Sequence, residues 1–239
     1  VSGKLAVAPV SPPQVFAKLA DWNLKPAIVW PPYLKTVALQ TQFEAKAQEL
    51  QLVNFNLQVA DNQLTMPKLA INLVQQTLNT EGVFLQGWGL NLKAKLQVQQ
   101  LFKQPIATGE LTLAPVNPQL VFKQLGQTLP SIPAPFTFNK VALQTKLSAT
   151  VEEVMLKELQ LTIDEQRLNS TQLIWNRSKG TLGLDQFTLN ALGLVLTGTL
   201  RADQLLTQTT LQGSLKLAEF NPRQLLPRLG QPVPNTFDA

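Results

Sequence analysis

The chain has 239 residues, enough for one large or two ordinary domains with a sizeable core. It contains no cysteine and no histidine. That excludes disulfides, thiolate nucleophiles, Cys-type zinc sites and any Ser-His-Asp or Cys-His triad, and it removes the commonest general base and transition-metal ligand. Charged residues make up only 15%, and the net charge of +5 comes from scattered Lys and Arg. There is no basic run or aromatic-interleaved stripe of the kind a nucleic-acid groove needs, and weak attraction to anionic head groups explains the charge as well.

The polar load is carried by Gln, Asn and Thr, which alternate with Leu and Val; that pattern predicts long β-strands. The chain opens on GKLAVAPVSPPQVFAKL, Gly3 to Leu19, a period-2 strand running through Ser-Pro into an apolar helix. A Pro-rich connector follows at 25–32, flanked by Trp22 and Trp30, which read as a local cluster covering the end of a sheet. Val37 to Thr41 alternates, as do Phe55, Leu57, Val59 and Leu64 around a turn at Asp61-Asn62. Leu90, Leu92, Ala94, Leu96 and Val98 share one face of a long strand, with Asn91, Lys93, Lys95, Gln97 and Gln99 on the other.

The strand from Gly109 ends at Asn117, a helix cap, with Pro118 at the first helical position. A short helix over 118–126 should end at Gly126 in a left-handed cap, and a second connector runs from Leu129 to Phe136. Strands are then expected at 141–149, 156–163, 168–175, 181–192 and 194–202. Asp164-Glu165-Gln166 and Asn176 to Gly180 supply the hairpin turns. Asn221-Pro222 and Gly230 repeat the helix signals near the carboxy end.

The chain is internally repeated. Gly89 to Gly126 aligns without a gap on Gly193 to Gly230, an offset of 104 residues. Val37-Ala38-Leu39-Gln40-Thr41 recurs intact as Val141-Ala142-Leu143-Gln144-Thr145 at the same offset. Gly3 to Leu19 matches Gly109 to Leu125 with two residues of slippage. The reading is one repeat unit over 1–106, a second over 107–210 and the opening of a third over 211–239, forming one continuous elongated domain. Both ends are expected to continue into something larger. The expected fold is mainly β: a repetitive antiparallel, curved meander, more than half strand, with one short helix per unit of about 104 residues.

One sheet face is apolar over its whole length, yet aromatics are only 7%. Such a face must meet a second layer or hold a ligand. Its candidate lining residues are Leu90, Leu92, Leu96, Leu111, Leu113, Leu143, Leu147, Leu161, Leu194, Leu196, Leu200, Leu215 and Leu217. Any one of them, taken singly, reads as ordinary core. Asp164-Glu165 and Glu152-Glu153 are adjacent acids that read as turn and surface, because neighbours in a strand point to opposite faces and cannot converge on a substrate. Gly180, Gly183, Gly193 and Gly198 lack the context of a phosphate loop and read as bends in twisted strands. No catalytic residue, metal ligand or cofactor site stands out, so the chain reads as non-enzymatic.

The segment Gly-x-Leu-x-Leu-Ala-x-x-Asn-Pro, followed by an apolar helix ending in Leu-Gly, resembles the carboxy-terminal half of bacterial AsmA-family proteins. Leu215 to Gly230, LKLAEFNPRQLLPRLG, carries the closest local likeness, and the Val-Ala-Leu-Gln-Thr strand with its following Leu-x-Leu-x-Ile-Asp hairpin adds to it. The resemblance implies a periplasmic β-rich body tethered to the inner membrane by a segment absent from this chain. It also implies a part in outer-membrane biogenesis and a curved sheet that holds a phospholipid or other acyl-chain lipid. The alternative is a structural or assembly scaffold that binds envelope proteins through strand edges.

Overall fold

The structure, a computed structural model, describes residues 1–11, 36–129, 135–205 and 209–233. The expected first helix, the Trp22/Trp30 cluster and the connector at 25–32 lie outside these residues, as does the middle of the second connector. Strands take 65% of the described residues, and every described pairing is antiparallel. The chain forms two compact units, Val1–Pro105 and Ile106–Ala239.

The first unit contains β1 (Ser2–Val10), β2 (Val37–Lys46), β3 (Glu49–Val59), β4 (Asn62–Asn72), β5 (Thr77–Thr80), β6 (Val83–Gly87) and β7 (Leu90–Gln99). They pair in chain order, except that β5 and β6 lie end to end between β4 and β7 as one interrupted strand. The second unit contains β8 (Ile106–Val116), α1 (Pro118–Gln124), β9 (Val141–Ala149), β10 (Glu153–Ile163), β11 (Gln166–Asn176), β12 (Thr181–Ala191), β13 (Leu194–Asp203), β14 (Thr210–Leu217) and α2 (Pro222–Arg228). Its seven strands also pair in chain order.

The helix punctuation follows from local chemistry. Asn117 Oδ1 accepts from Gln119 N at 2.9 Å and Asn221 Oδ1 from Arg223 N at 3.0 Å, each with Pro next in sequence. These caps satisfy amide hydrogens that have no partner inside the helix, and Pro has none to lose. At the other end Gly126 and Gly230 both take φ +70°. Gln127 N donates to Phe122 O and Gly126 N to Lys123 O, with Gln231 to Leu226 and Gly230 to Pro227 as the repeat of the same pattern. That is a Schellman closure, and the left-handed residue it requires is the reason for glycine. Both helices are seven residues long.

Tight turns join the strands. Ile163 pairs with Gln166 and Val59 with Asn62, so two-residue loops run through Asp164-Glu165 and Ala60-Asp61. Asp164 and Ala60 take φ +52° at positions 104 residues apart. The first-unit turn thus falls one residue earlier than Asp61-Asn62. Asn62 opens β4, and its side chain donates to Val59 O at 3.0 Å and accepts from Trp88 N at 2.6 Å. Gly180 and Gly193, at φ +60° and +82°, are turn residues and not bends within strands; Gly183 and Gly198 do lie inside strands.

A β-bulge in the first unit recurs at the matching place in the second, where another lies on the same row. Gln40 pairs with Asn56 and Gln42 with Val53, so Thr41 alone faces Asn54 and Phe55. Thr145 faces Glu158 and Leu159 in the same way, and Thr199 faces Asp185 and Gln186. The extra residues Asn54, Glu158 and Gln186 all take positive φ. A bulge bends its strand and increases the local twist. The carbonyls it frees are met by side-chain hydroxyls: Thr145 Oγ1 donates to Lys157 O at 3.0 Å, and Thr41 Oγ1 to Val53 O at 3.3 Å. On β11, Ser170 Oγ lies 2.6 Å from Asp185 O. Where the first unit interrupts its strand between β5 and β6, Thr80 Oγ1 takes over the ladder, donating to Leu96 O and accepting from Leu96 N.

Candidate binding face

Directly opposed residues of antiparallel strands share a face, so the pairing register shows which side chains belong together. In the second unit Leu113, Leu143, Leu161, Leu168, Leu189, Leu196 and Leu217 stand in one row across seven strands. A parallel row runs through Leu111, Thr145, Leu159, Ser170, Phe187, Gly198 and Leu215 along the bulges. Beyond the bulges Leu147, Leu156, Leu173, Leu184 and Leu200 continue the same face. All ten second-unit residues singled out from sequence therefore lie on one face: Leu111, Leu113, Leu143, Leu147, Leu161, Leu194, Leu196, Leu200, Leu215 and Leu217. In the first unit Leu90, Leu92 and Leu96 share a face with Leu85, Leu64, Leu57 and Leu39.

The face holds more residues than the sequence reading named. Leu156, Leu159, Leu168, Leu173, Leu184, Phe187 and Leu189 belong to it as well. On β10 the face takes residues 159, 161 and 163, then 156 and 154, because the bulge at Glu158 shifts the alternation by one. A strict period of 2 puts Leu156 and Leu159 on opposite sides; the left-handed Glu158 puts them on the same side.

Among the described residues little covers this face. Among the described residues the buried apolar side chains are Val116, Val121, Leu159, Phe187 and Ala202, and no large side chain is fully buried. A sandwich would bury both inner faces in a layer about 10 Å thick. Here most of the face is half-buried by its neighbours within the sheet alone, and on β14 Leu211, Leu215 and Leu217 are 66%, 59% and 47% exposed. Burial is concentrated on the bulge row, where Thr145 and Leu159 are each 3% exposed and Ser170 and Phe187 each 5%. The most protected side chains of the face thus lie along the middle of the bulge row, which runs across the strands. At about 4.8 Å per strand it is roughly 30 Å long over seven strands.

The opposite face is wet and charged. Lys146 Nζ meets Glu158 Oε1 at 2.6 Å, and this hydrogen bond, with the charge behind it, raises the lysine pKa. Lys46–Glu44, Lys68–Glu81 and Arg201–Asp203 pair nearby residues at 3.2, 3.4 and 3.0 Å. These pairs are solvent-exposed and contribute little stability. Asp164 sits at the turn between β10 and β11 and ties down the segment before β9. Thr137 Oγ1 donates to its Oδ2 at 2.6 Å, and Asn139 N and Lys140 N donate to Oδ1 at 3.1 and 2.8 Å. The Thr137 hydrogen bond first, then the backbone amides, hold its carboxyl below the usual carboxylate range. Asp164 is thereby committed to structure. Glu165, its sequence neighbour, makes no ion pair among the described residues.

Among the described residues no group of acidic side chains could hold a metal ion, and no helix is long and apolar enough to cross a membrane. Comparison with protein-family models, with curated proteins and with solved structures finds no match to the chain.

Proposed function

We propose that the chain is a lipid-handling protein that shields acyl chains along the apolar face of its sheets. The observation that carries this reading is the apolar face of the second unit, continuous over seven strands, with no second layer over it among the described residues. A length of roughly 30 Å equals the hydrocarbon thickness of a bilayer, so two acyl chains fit end to end along it. Each methylene withdrawn from water contributes about 0.8 kcal/mol, which holds a long chain without any polar contact to its tail. The resemblance of Leu215 to Gly230 to AsmA-family segments points the same way. On that reading the protein works in the periplasm, tethered to the inner membrane by a segment outside this chain, in outer-membrane biogenesis. The scaffold alternative expects a dry, closed core, and the five buried apolar residues among those described supply little of one.

The test is native mass spectrometry, with lipid extraction, of the chain purified from a bacterial envelope. Phospholipid or fatty acid should co-purify at near-stoichiometric amounts. Leu196→Asp and Leu200→Asp in the second unit, and Leu92→Asp and Leu96→Asp in the first, should abolish loading on their own unit. A lipid-free monomer from every preparation would refute the reading and move the scaffold forward.

A further inference from the structure

At the helix-bearing end of the second unit a cavity of about 600 Å³ opens between the segment before β9, the turns at 164–166 and 190–195, and the last turn of α2. Its apolar wall includes Leu194, which also belongs to the apolar face. Its polar wall carries Asp164, Glu165 and Arg228, with Asn139 and Asn190. Arg228 lies against the β12–β13 turn, and the position it faces is a glycine: a Cβ on Gly193 would come within 2.7 Å of its Nη1. Among the described residues Arg228 forms no ion pair with either acid or with anything else. Its guanidinium therefore faces the cavity with free donors, and one uncommitted carboxylate, that of Glu165, lines the same space.

This charge pattern selects among ligands. A simple anion would meet Arg228 but also two carboxylates, and a simple cation would meet the carboxylates but also Arg228. A group carrying both charges satisfies both. We propose that the cavity is a head-group site for a zwitterionic phosphoethanolamine lipid, with the phosphate on Arg228 and the ammonium toward Glu165 while the acyl chains leave past Leu194 onto the apolar face. Arginine suits a phosphate because its planar fork donates two parallel hydrogen bonds. This site rests on the lipid-handling reading above.

The experiment offers the full chain vesicles of phosphatidylethanolamine, vesicles of phosphatidylglycerol with the same acyl chains, and free oleate, with loading read by native mass spectrometry. The wild type should take phosphatidylethanolamine over phosphatidylglycerol by about tenfold, the worth of one charge-assisted contact. Arg228→Gln and Glu165→Gln should each remove most of that preference. Equal loading of the two phospholipids by the wild type, or preference retained in both variants, would overturn the head-group site and leave the apolar face standing. Failure of all three lipids to load would overturn the lipid-handling reading itself, and this site with it. Soluble phosphoethanolamine is the remaining arm. If it binds as tightly as the lipid, the cavity serves a free zwitterion and the lipid assignment is wrong.

Discussion

The buried hydroxyl of Thr145 offers the sharpest test of the bulge row. Thr145→Val keeps the shape of the side chain and removes its hydrogen bonds, of 3.0 Å to Lys157 O and 3.2 Å to Lys146 O, at a position only 3% exposed. Stripping a partner from a buried acceptor costs about 1–3 kcal/mol. For a unit spanning residues 106–239, at about 4 °C per kcal/mol, the melting temperature should fall by roughly 4–12 °C in a calorimetric scan. Thr145→Ser keeps the hydroxyl and should cost much less. Thr41→Val, which removes the equivalent bond to Val53 O in the other unit, should cost a similar amount. The two changes should add within about 0.5 kcal/mol, because they share no partner. A neutral Thr145→Val, or a Thr145→Ser as damaging as the valine, would show that the hydroxyl does not hold the bulge.

Other outcomes follow from the same geometry. A Cβ on Gly198 would collide with the Ser214 carbonyl oxygen, whereas one on Gly183 meets nothing within 4 Å. Gly198→Val should therefore loosen the β13–β14 ladder and raise amide hydrogen exchange along β14, while Gly183→Ala should leave exchange unchanged. Because the Asp164 carboxyl is held below its ordinary value, its contribution is present above the unfolded pKa of about 3.9 and is lost as pH falls through the lower folded value. Asp164→Asn should speed exchange of the Asn139 and Lys140 amides at neutral pH, and the difference from wild type should close as the pH falls through the lowered value of the wild-type carboxyl. Equal exchange at pH 7 would count against that anchor. Glu158→Gln breaks the exposed ion pair to Lys146 and should leave the melting temperature within about 2 °C.

Much of this architecture is written in local chemistry. Alternation over 141–149 and 194–202 marks β9 and β13, neither of which carries the bulge residue, so a period of 2 survives along their length. The Asn-Pro pairs and the glycines at 126 and 230 mark both ends of each short helix, because caps are satisfied by residues a few positions away. The offset of 104 residues carries through to three dimensions in the paired bonds of Thr41 and Thr145 and in the left-handed residues Asn54 and Glu158.

The breadth of the apolar face was settled at the tertiary level. Leu156 and Leu159, like Leu184 and Phe187, are three residues apart, and period-2 counting separates them; they share a face because a residue between them turns left-handed opposite a single partner on the next strand. That depends on the register with the neighbouring strand of the hairpin, which counting along one strand does not reveal. The cavity at Arg228 is of the same kind. Its charges come from a turn near 164 and a helix ending at 228, and the four strands between them, β11 to β14, bring them to one wall. The sequence by itself determines the strands, the turns, the caps and the repeat, since each is decided within a few residues. Which side chains meet is decided only by register and by the bends the bulges impose.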